Sequence, residues 1–294
     1  MRVLHINERA GFYGGVEQIL YDTAEGLRKL GWPQGLLHQD PDPDHGYTAA
    51  FDQVSRQESI LSSFAPDVLF IHKFELVQKI RQLASDYPTV RMIHDHDLVC
   101  MRRHKYFPIS KRVCDRPAGI DCYKHLCFIQ RSAPGSRLPI TLRRVKQCRQ
   151  AIQAHASVRC FMVGSEWMRR ELEINGIPAD KIEIVPPIPA ALGEVRPVPP
   201  AEDSQDILFV GQVIRGKGVD LFLRALQHVA SPWRATVVGT GNHLDSCKRL
   251  AAELGINKRV HFAGWVPHEE LEPLYAKSTL TVVPSRWPEP FGMV

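Results

Sequence analysis

Short apolar runs alternate with amphipathic stretches of helical spacing along nearly the whole chain, and that alternation confines it to a small set of folds. Val3, Leu4 and Ile6 form a strand, Glu8 to Gly15 a loop, and Val16, Ile19, Leu20, Thr23, Ala24, Leu27 and Leu30 recur at helical spacing, with Gly31 placed to end the helix. Pro66 to Ile71, Thr89 to His94 and Val158 to Val163 read as further strands, the first of them followed by a helical stretch to about Ala84. The pattern restarts at Ile207 to Val210. A helix over 219–229, a strand over 235–238, a helix over 243–254, a strand over 260–262, a helix over 268–277 and a strand over 280–283 follow. Strands joined through helices pair in parallel, and parallel sheets are buried on both faces. Six prolines between Val185 and Pro200 fix φ and remove donors, so no helix or strand passes through them. The expectation is an α/β protein of two similar doubly wound, Rossmann-like domains facing across a cleft. They span residues 1–185 and 204–294, joined by a proline-rich linker at 186–203.

Several classes are excluded. Hydrophobic residues make up 44% and charged residues 23%, an ordinary globular balance without collagen-like or disordered bias. Apolar runs such as Val68 to Ile71 are far below the ~18 residues of a membrane span. The start, a short strand running into Glu8 and Arg9, does not read as a signal peptide. Seven unevenly spaced cysteines without such a signal point to a reduced, cytoplasmic protein. The second domain covers 91 residues from Ser204 to Val294, short for a domain, and is expected to be incomplete.

Three constellations carry chemistry. Gly14 and Gly15 lie between the first strand and the first helix, where glycine permits close backbone approach and a helix N-terminus favours an anion. The G-x-G-x-x-G spacing is absent, so a plain tight turn stays open at this point, and a nicotinamide dehydrogenase is disfavoured. Phe209 to Asp220 reads as strand, basic glycine-bearing loop and helix. It would bring Arg215 and Lys217 to the carboxyl end of a strand, where open α/β sheets bind ligands. Two cations, free N–H groups and a positive helix end suit a diphosphate, with a solvated basic turn as the other reading at this point. Finally, Glu289 stands between Pro288 and Pro290, either a rigidly aimed acceptor suited to sugar hydroxyls or an ordinary surface charge.

Taken in order, Gly14-Gly15-Val16-Glu17, the Val210-Gly211 to Lys217-Gly218-Val219-Asp220 block and Pro288-Glu289-Pro290-Phe291-Gly292-Met293-Val294 resemble the retaining, GT-B-fold glycosyltransferases of family 4. The stretches Asp67 to His72, Ile93-His94-Asp95, Gly239-Thr240-Gly241 and Phe262 to Trp265 agree with them, leaving only about 97–150 outside the resemblance. The resemblance implies sugar transfer from a nucleotide-sugar to a glycan or lipid-linked acceptor, with retained configuration. The donor is a substrate, and neither cofactor nor catalytic metal is expected. His94 would sit beside the transferred sugar and Glu289 would hold its hydroxyls. Lys217 would neutralise the departing phosphate, and Gly14, Gly15, Arg215, Gly241 and Ser285 would complete the donor-binding set. Fixed cations around a departing diphosphate are coherent with such a reaction. Gln212 stands where the family usually has Arg, with Arg215 three residues on as a replacement. The family's Glu-x7-Glu pattern would place its second Glu at position 297, beyond Val294. A truncated, inactive or partner-dependent binding protein of the same fold is therefore the alternative. A nucleotide-sugar epimerase fits the motif blocks less well.

Residues 100–150 hold 13 Lys and Arg against Asp115 and Asp121, a balance of +11 in a chain whose net charge is +5. Arg102, Arg103, Lys105, Lys111 and Arg112 flank Tyr106 and Phe107. Arg137, Arg143, Arg144, Lys146 and Arg149 are expected on a helix. This basic stretch, residues 102–149, is expected either as a solvated face or as a contact for an anionic membrane surface or a phosphate-bearing acceptor. No motif accompanies it that would argue for nucleic acid. Within the insertion at about 97–135, Cys100, Cys114, Cys122 and Cys127 allow two readings, a structural zinc clip or small buried cysteines. No pair has the C-x2-C spacing.

Overall fold

A computed structural model describes residues 1–74, 76–110, 112–132, 138–187, 205–267 and 270–292. Of the expected linker, 188–203 lies outside the described residues, as do Lys111 and Arg137. The strands are β1 (Val3–Ile6), β2 (Gln34–Leu37), β3 (Gln53–Ser55), β4 (Val68–Ile71), β5 (Thr89–Ile93), β6 (Ile129–Arg131), β7 (Ile140–Leu142), β8 (Cys160–Val163), β9 (Ile182–Ile184), β10 (Asp206–Val210), β11 (Arg234–Val238), β12 (Val260–Gly264) and β13 (Leu280–Thr281). The helices are α1 (Gly15–Lys29), α2 (His45–Thr48), α3 (Ile60–Phe64), α4 (Val77–Asp86), α5 (Asp121–Lys124), α6 (Val145–Ala154), α7 (Glu166–Ile174), α8 (Val219–Leu226), α9 (Leu244–Glu253) and α10 (Leu271–Lys277). Among the described residues no helix is long and apolar enough to cross a membrane.

The chain divides into two compact units, Met1–Gly193 with Glu289–Met293, and Glu194–Pro288. In unit 1 seven parallel strands run in the order β3-β2-β1-β4-β5-β8-β9. Successive residues of β1 serve opposite faces. Val3, with Phe70 and Met92, packs against Ile19 and Leu27 of α1, while Leu4 and Ile6 pack with Leu69, Ile71, Phe64 and Ile80. All four residues of β1 are buried, including His5, so this imidazole must find its partners inside the sheet. α1 ends as expected, with Gly31 left-handed at φ 79° and its N–H on the Arg28 carbonyl.

Unit 2 has four parallel strands in the order β12-β11-β10-β13. Its core joins Phe209 and Val237 of the sheet to Phe222, Leu223 and Leu226 of α8 and to Cys247, Leu250 and Ala251 of α9.

The segment 97–144 departs from the expected pattern. Arg143 and Arg144 precede α6 rather than lying on it, because the Gln147 side-chain carbonyl accepts from the Arg144 N–H and fixes Arg144 as the cap. β6 and β7 form a separate antiparallel hairpin.

Candidate functional site

Open α/β sheets bind ligands outside the carboxyl ends of their strands, where the strand order reverses. In unit 1 the reversal falls between β1 and β4, and in unit 2 between β10 and β13. The sequence places the Asn7–Gly14 loop and His72 to Phe74 at the first of these. Residues 211–218 and Pro284 to Arg286 lie at the second.

At unit 1's edge Gly14 caps α1 in extended backbone, φ −179°, and a Cβ built on it would meet only Glu17 Oε2 at 3.7 Å. Neither backbone nor packing requires glycine there, so its absent side chain leaves the helix N-terminus open to approach. Gly15 is the first residue of the helix. Glu17 is buried nearby, and Asn7 links the loops by donating to the Arg9 carbonyl and accepting from the Lys73 N–H at 3.0 Å.

His94 follows β5 and ends a line of imidazoles that the sequence alone does not reveal. Its Nε2 lies 3.1 Å from His72 Nδ1, His72 Nε2 lies 3.1 Å from His5 Nδ1, and His5 Nε2 lies 2.8 Å from Gln34 Oε1. The Gln34 amide donates to the Trp32 carbonyl at 2.8 Å, so its Oε1 must accept. His5 therefore carries its proton on Nε2, His72 on Nε2 and His94 on Nε2. His94 Nδ1 is left as an acceptor with no partner among the described residues. Burial drives all three toward the neutral form, lowering His5 and His94 to about 4 and His72 well below its usual value. Beside His94, Lys73 Nζ pairs with Asp95 at 3.3 Å. Burial raises Asp95, but Lys73 and the Asp97 N–H outweigh it and hold the carboxyl below its ordinary range.

Glu289 belongs with unit 1, in the segment 289–292. Next to it the Pro290 carbonyl accepts from Ser165 Oγ at 2.7 Å, and Phe291 lies so close over Gly164 that a Cβ there would sit 2.6 Å from its Cβ.

In unit 2 the edge is built from backbone. Gly239 at φ 126° leaves room for the Gly211 carbonyl, which a Cβ would meet at 1.9 Å, and Gly218 at φ 71° does the same for the Pro284 carbonyl at 2.0 Å. Gly241 is pressed onto the Val213 carbonyl in the same way. These contacts bring Arg215, Lys217, Gly241 and Ser285 to one sheet edge. Arg215 and Lys217 lie on a single 3-10 turn closed by Gly218, and Lys217 Nζ stands 5.9 Å from the Trp287 ring. Arg215 is exposed and has no ion-pair partner among the described residues. Arg286, by contrast, is committed to Asp220 by two parallel bonds of 2.5 and 2.7 Å.

One expectation for the insertion is corrected, that of Lys105 as part of a basic surface. Cys100, Cys114, Cys122 and Cys127 do line one small cavity, of about 20 Å³, but no three His, Cys, Asp or Glu among the described residues are placed to hold a metal ion. Burial, with the neighbouring Cys122 and Cys100, pushes the Cys127 thiol up to about 12. Lys105 is no surface cation: at 1% exposure it pairs with Glu171 of α7 at 2.7 Å and donates to the Arg116 carbonyl. That buried pair ties the insertion to α7.

Comparison with known proteins bears on this arrangement. The model of Glycosyltransferase Family 4 matches residues 13–188, and that of Glycosyl transferases group 1 matches 194–294. The chain is 34% identical over 149 residues to a D-inositol 3-phosphate glycosyltransferase of Nocardia farcinica, covering 44% of this chain and 33% of that protein. It is 27% identical over 114 residues to a GDP-mannose-dependent phosphatidylinositol monomannoside mannosyltransferase of Mycolicibacterium smegmatis, covering 38% of this chain and 29% of that protein. These matches span only about a third of the length of those relatives. Among solved structures, Anabaena HepE in complex with UDP-glucose matches with a TM-score of 0.63 at 15% identity, over 100% of this chain and 76% of that one. The lipopolysaccharide outer core galactosyltransferase WaaB matches at 0.61 and 15%, over 97% and 74%. At such identity the likeness establishes the fold, GT-B, and nothing finer.

Proposed function

The chain belongs to glycosyltransferase family 4, and on that premise we propose that it moves a sugar from a nucleotide-sugar donor to a glycan or lipid-linked acceptor, retaining the anomeric configuration and needing no metal. The observation that carries the reading is the edge of unit 2. Three glycines seated against carbonyls fix a turn that presents Arg215 and Lys217, while Arg286 is already taken by Asp220. The charge that develops on a departing diphosphate needs fixed cations, and placing them in advance removes the cost of reorganising solvent during the reaction. In this reading Arg215 and Lys217 hold the diphosphate, with Gly241 and Ser285 on the same edge. His94 offers its Nδ1 lone pair to a sugar hydroxyl, Glu289 holds further hydroxyls, and Gly14 and Gly15 admit the donor close to α1. UDP and UDP-glucose in the HepE complexes, and GDP-mannose in the name of the mycobacterial relative, make UDP- and GDP-sugars the donors to try.

The same reading includes attachment to an anionic membrane surface from the cytoplasmic side. Ile109 and Ile120 are exposed in the insertion and Leu138, Ile140 and Leu142 in the segment after it, and Arg112, Lys146 and Arg149 are exposed cations of the same basic stretch.

The test is donor turnover with UDP- and GDP-sugars in the presence of EDTA, comparing wild type with Lys217→Ala. Wild type is expected to turn over one donor, and the variant to lose about 100-fold or more in kcat while keeping its fold. Absence of both nucleotide binding and turnover would leave the binding-protein alternative in its place.

A further inference from the structure

Within unit 1, α4, β5 and α6 border a half-open cavity of about 290 Å³ that no motif of the sequence announces. Four arginines are among its lining residues, Arg91, Arg103, Arg143 and Arg144, with Asp97 the one acidic residue of that lining. Arg91 is the telling one. It comes from the middle of β5 and is 3% exposed. Its Nη1 meets His155 Nε2 at 2.5 Å, its Nη2 is 3.6 Å from Asp97, and its Nε is buried without a partner. His155 donates from Nδ1 to the Ala151 carbonyl, so its Nε2 is a neutral acceptor and offsets none of the charge. Burial and the neighbouring Arg91 both keep this imidazole unprotonated, at about 3.

A buried guanidinium normally satisfies its donors, and an orphaned one costs free energy unless something else supplies the acceptor. The first turn of α6 also lines the cavity through Gln147 and Cys148 and holds no acidic side chain. Much of the remaining lining is apolar, including Phe74, Ile80, Leu98, Met101 and Ala151. The complementary ligand has several strong acceptor oxygens, more than one negative charge and a compact body that tolerates an apolar wall. Guanidinium forks match phosphate oxygens in both geometry and charge.

We propose that this cavity binds a phosphate monoester carrying a compact, partly apolar body. The assignment accounts for Arg103, Arg143 and Arg144 within the basic segment, which the donor-site reading leaves unused. A soluble phosphate ester and the headgroup of an anionic lipid share this chemistry. The measurement needs neither donor nor turnover, so it stands or falls apart from the transferase reading.

The experiment titrates phenyl phosphate calorimetrically into the full chain, with phenol as the uncharged control. Two double variants with wild-type melting behaviour serve as comparison: Arg143→Ala with Arg144→Ala at the cavity, and an outer pair, Lys29→Ala with Arg170→Ala, at exposed cations of unit 1 away from the basic segment. Saturable binding of phenyl phosphate, weakened about ten-fold or more by the cavity pair and less than about two-fold by the outer pair, is the expected result. In a parallel arm, the protein is sedimented with phosphatidylcholine vesicles containing roughly one-fifth phosphatidic acid. If only the vesicles bind, and the cavity pair but not the outer pair abolishes it, the phosphate is that of a headgroup. Binding of neither probe, or equal losses in the two double variants, would overturn the proposal.

Discussion

The two sheet edges solve one problem in different materials. Unit 2 shapes its edge with backbone: Gly239, Gly218 and Gly241 admit carbonyls where any side chain would collide, and the charged groups stand on a turn that these contacts hold. Unit 1 shapes its edge with buried side chains, a hydrogen-bonded line from Gln34 through His5 and His72 to His94, and the pair Lys73–Asp95. A backbone-built edge has little tolerance for added atoms and little sensitivity to pH. A side-chain-built edge has the reverse properties, because its polar groups stay in place only while each keeps its protonation state.

The sharpest way to break the comparison is a single methyl group. Gly239→Ala places Cβ 1.9 Å from the Gly211 carbonyl at a φ of 126°, with backbone on both sides of the clash. Unit 2 is expected to lose ~4 kcal/mol or more, most of a small domain's stability. Denaturant unfolding of the variant should show the unit 2 transition lost or strongly shifted and that of unit 1 retained. A variant with wild-type stability would mean that the edge is not backbone-determined.

Unit 1 has its own single point of failure away from the edge. Lys105→Met leaves Glu171 buried without its cation, and removing one member of a buried pair costs about 3 kcal/mol or more. Replacing both, Lys105→Met with Glu171→Leu, should recover most of that loss, since two apolar groups leave no charge to solvate. Chemical denaturation of both variants checks this. If the double variant is as unstable as the single, the insertion is held by the contacts of Lys105 with the Arg116 carbonyl and not by the pair.

The difference between the edges also explains what the sequence made legible. The glycines and cations of unit 2 lie within short windows, 211–218 and 239–241, so local sequence singled out the first and the family resemblance the second. The alternation of strands and helices was visible for the same reason: it is a local signal. His5, Gln34, His72 and His94 are separated by 29, 67 and 22 residues along their three bonds and meet only when the sheet forms. Only His94 was singled out in the sequence, through the family resemblance, and nothing local to it points to His72, His5 or Gln34. Lys105 misled for a related reason. Its burial depends on Glu171, 66 residues away, whereas counting charges treats every lysine of a basic segment as exposed. The arginine-lined cavity was hidden because Arg91 sits on β5 while the other three arginines belong to the insertion and the start of α6.

The smallest expected effect is also the most direct measure of how the unit 1 edge is held. His5 and His94 are lowered to about 4 and His155 to about 3, all chiefly by burial, whereas an unfolded histidine takes up its proton near its ordinary value of 6.5. Between pH 6.5 and 4 the unfolded chain therefore binds protons that the folded chain refuses. The stability these groups contribute is complete above pH 6.5 and is lost as pH falls through that window. Each such histidine is expected to add about 1 kcal/mol per pH unit to the slope of unit 1's stability. Equilibrium unfolding at a series of pH values across the window measures that slope, and His5→Gln should reduce it by one proton. The substituted amide can still donate toward Gln34 and accept from His72, so the fold is retained while one titrating group is gone. A slope unchanged by this substitution would mean that His5 is protonated in the folded state, and the tautomer assignment that leaves His94 Nδ1 as an acceptor would fail with it.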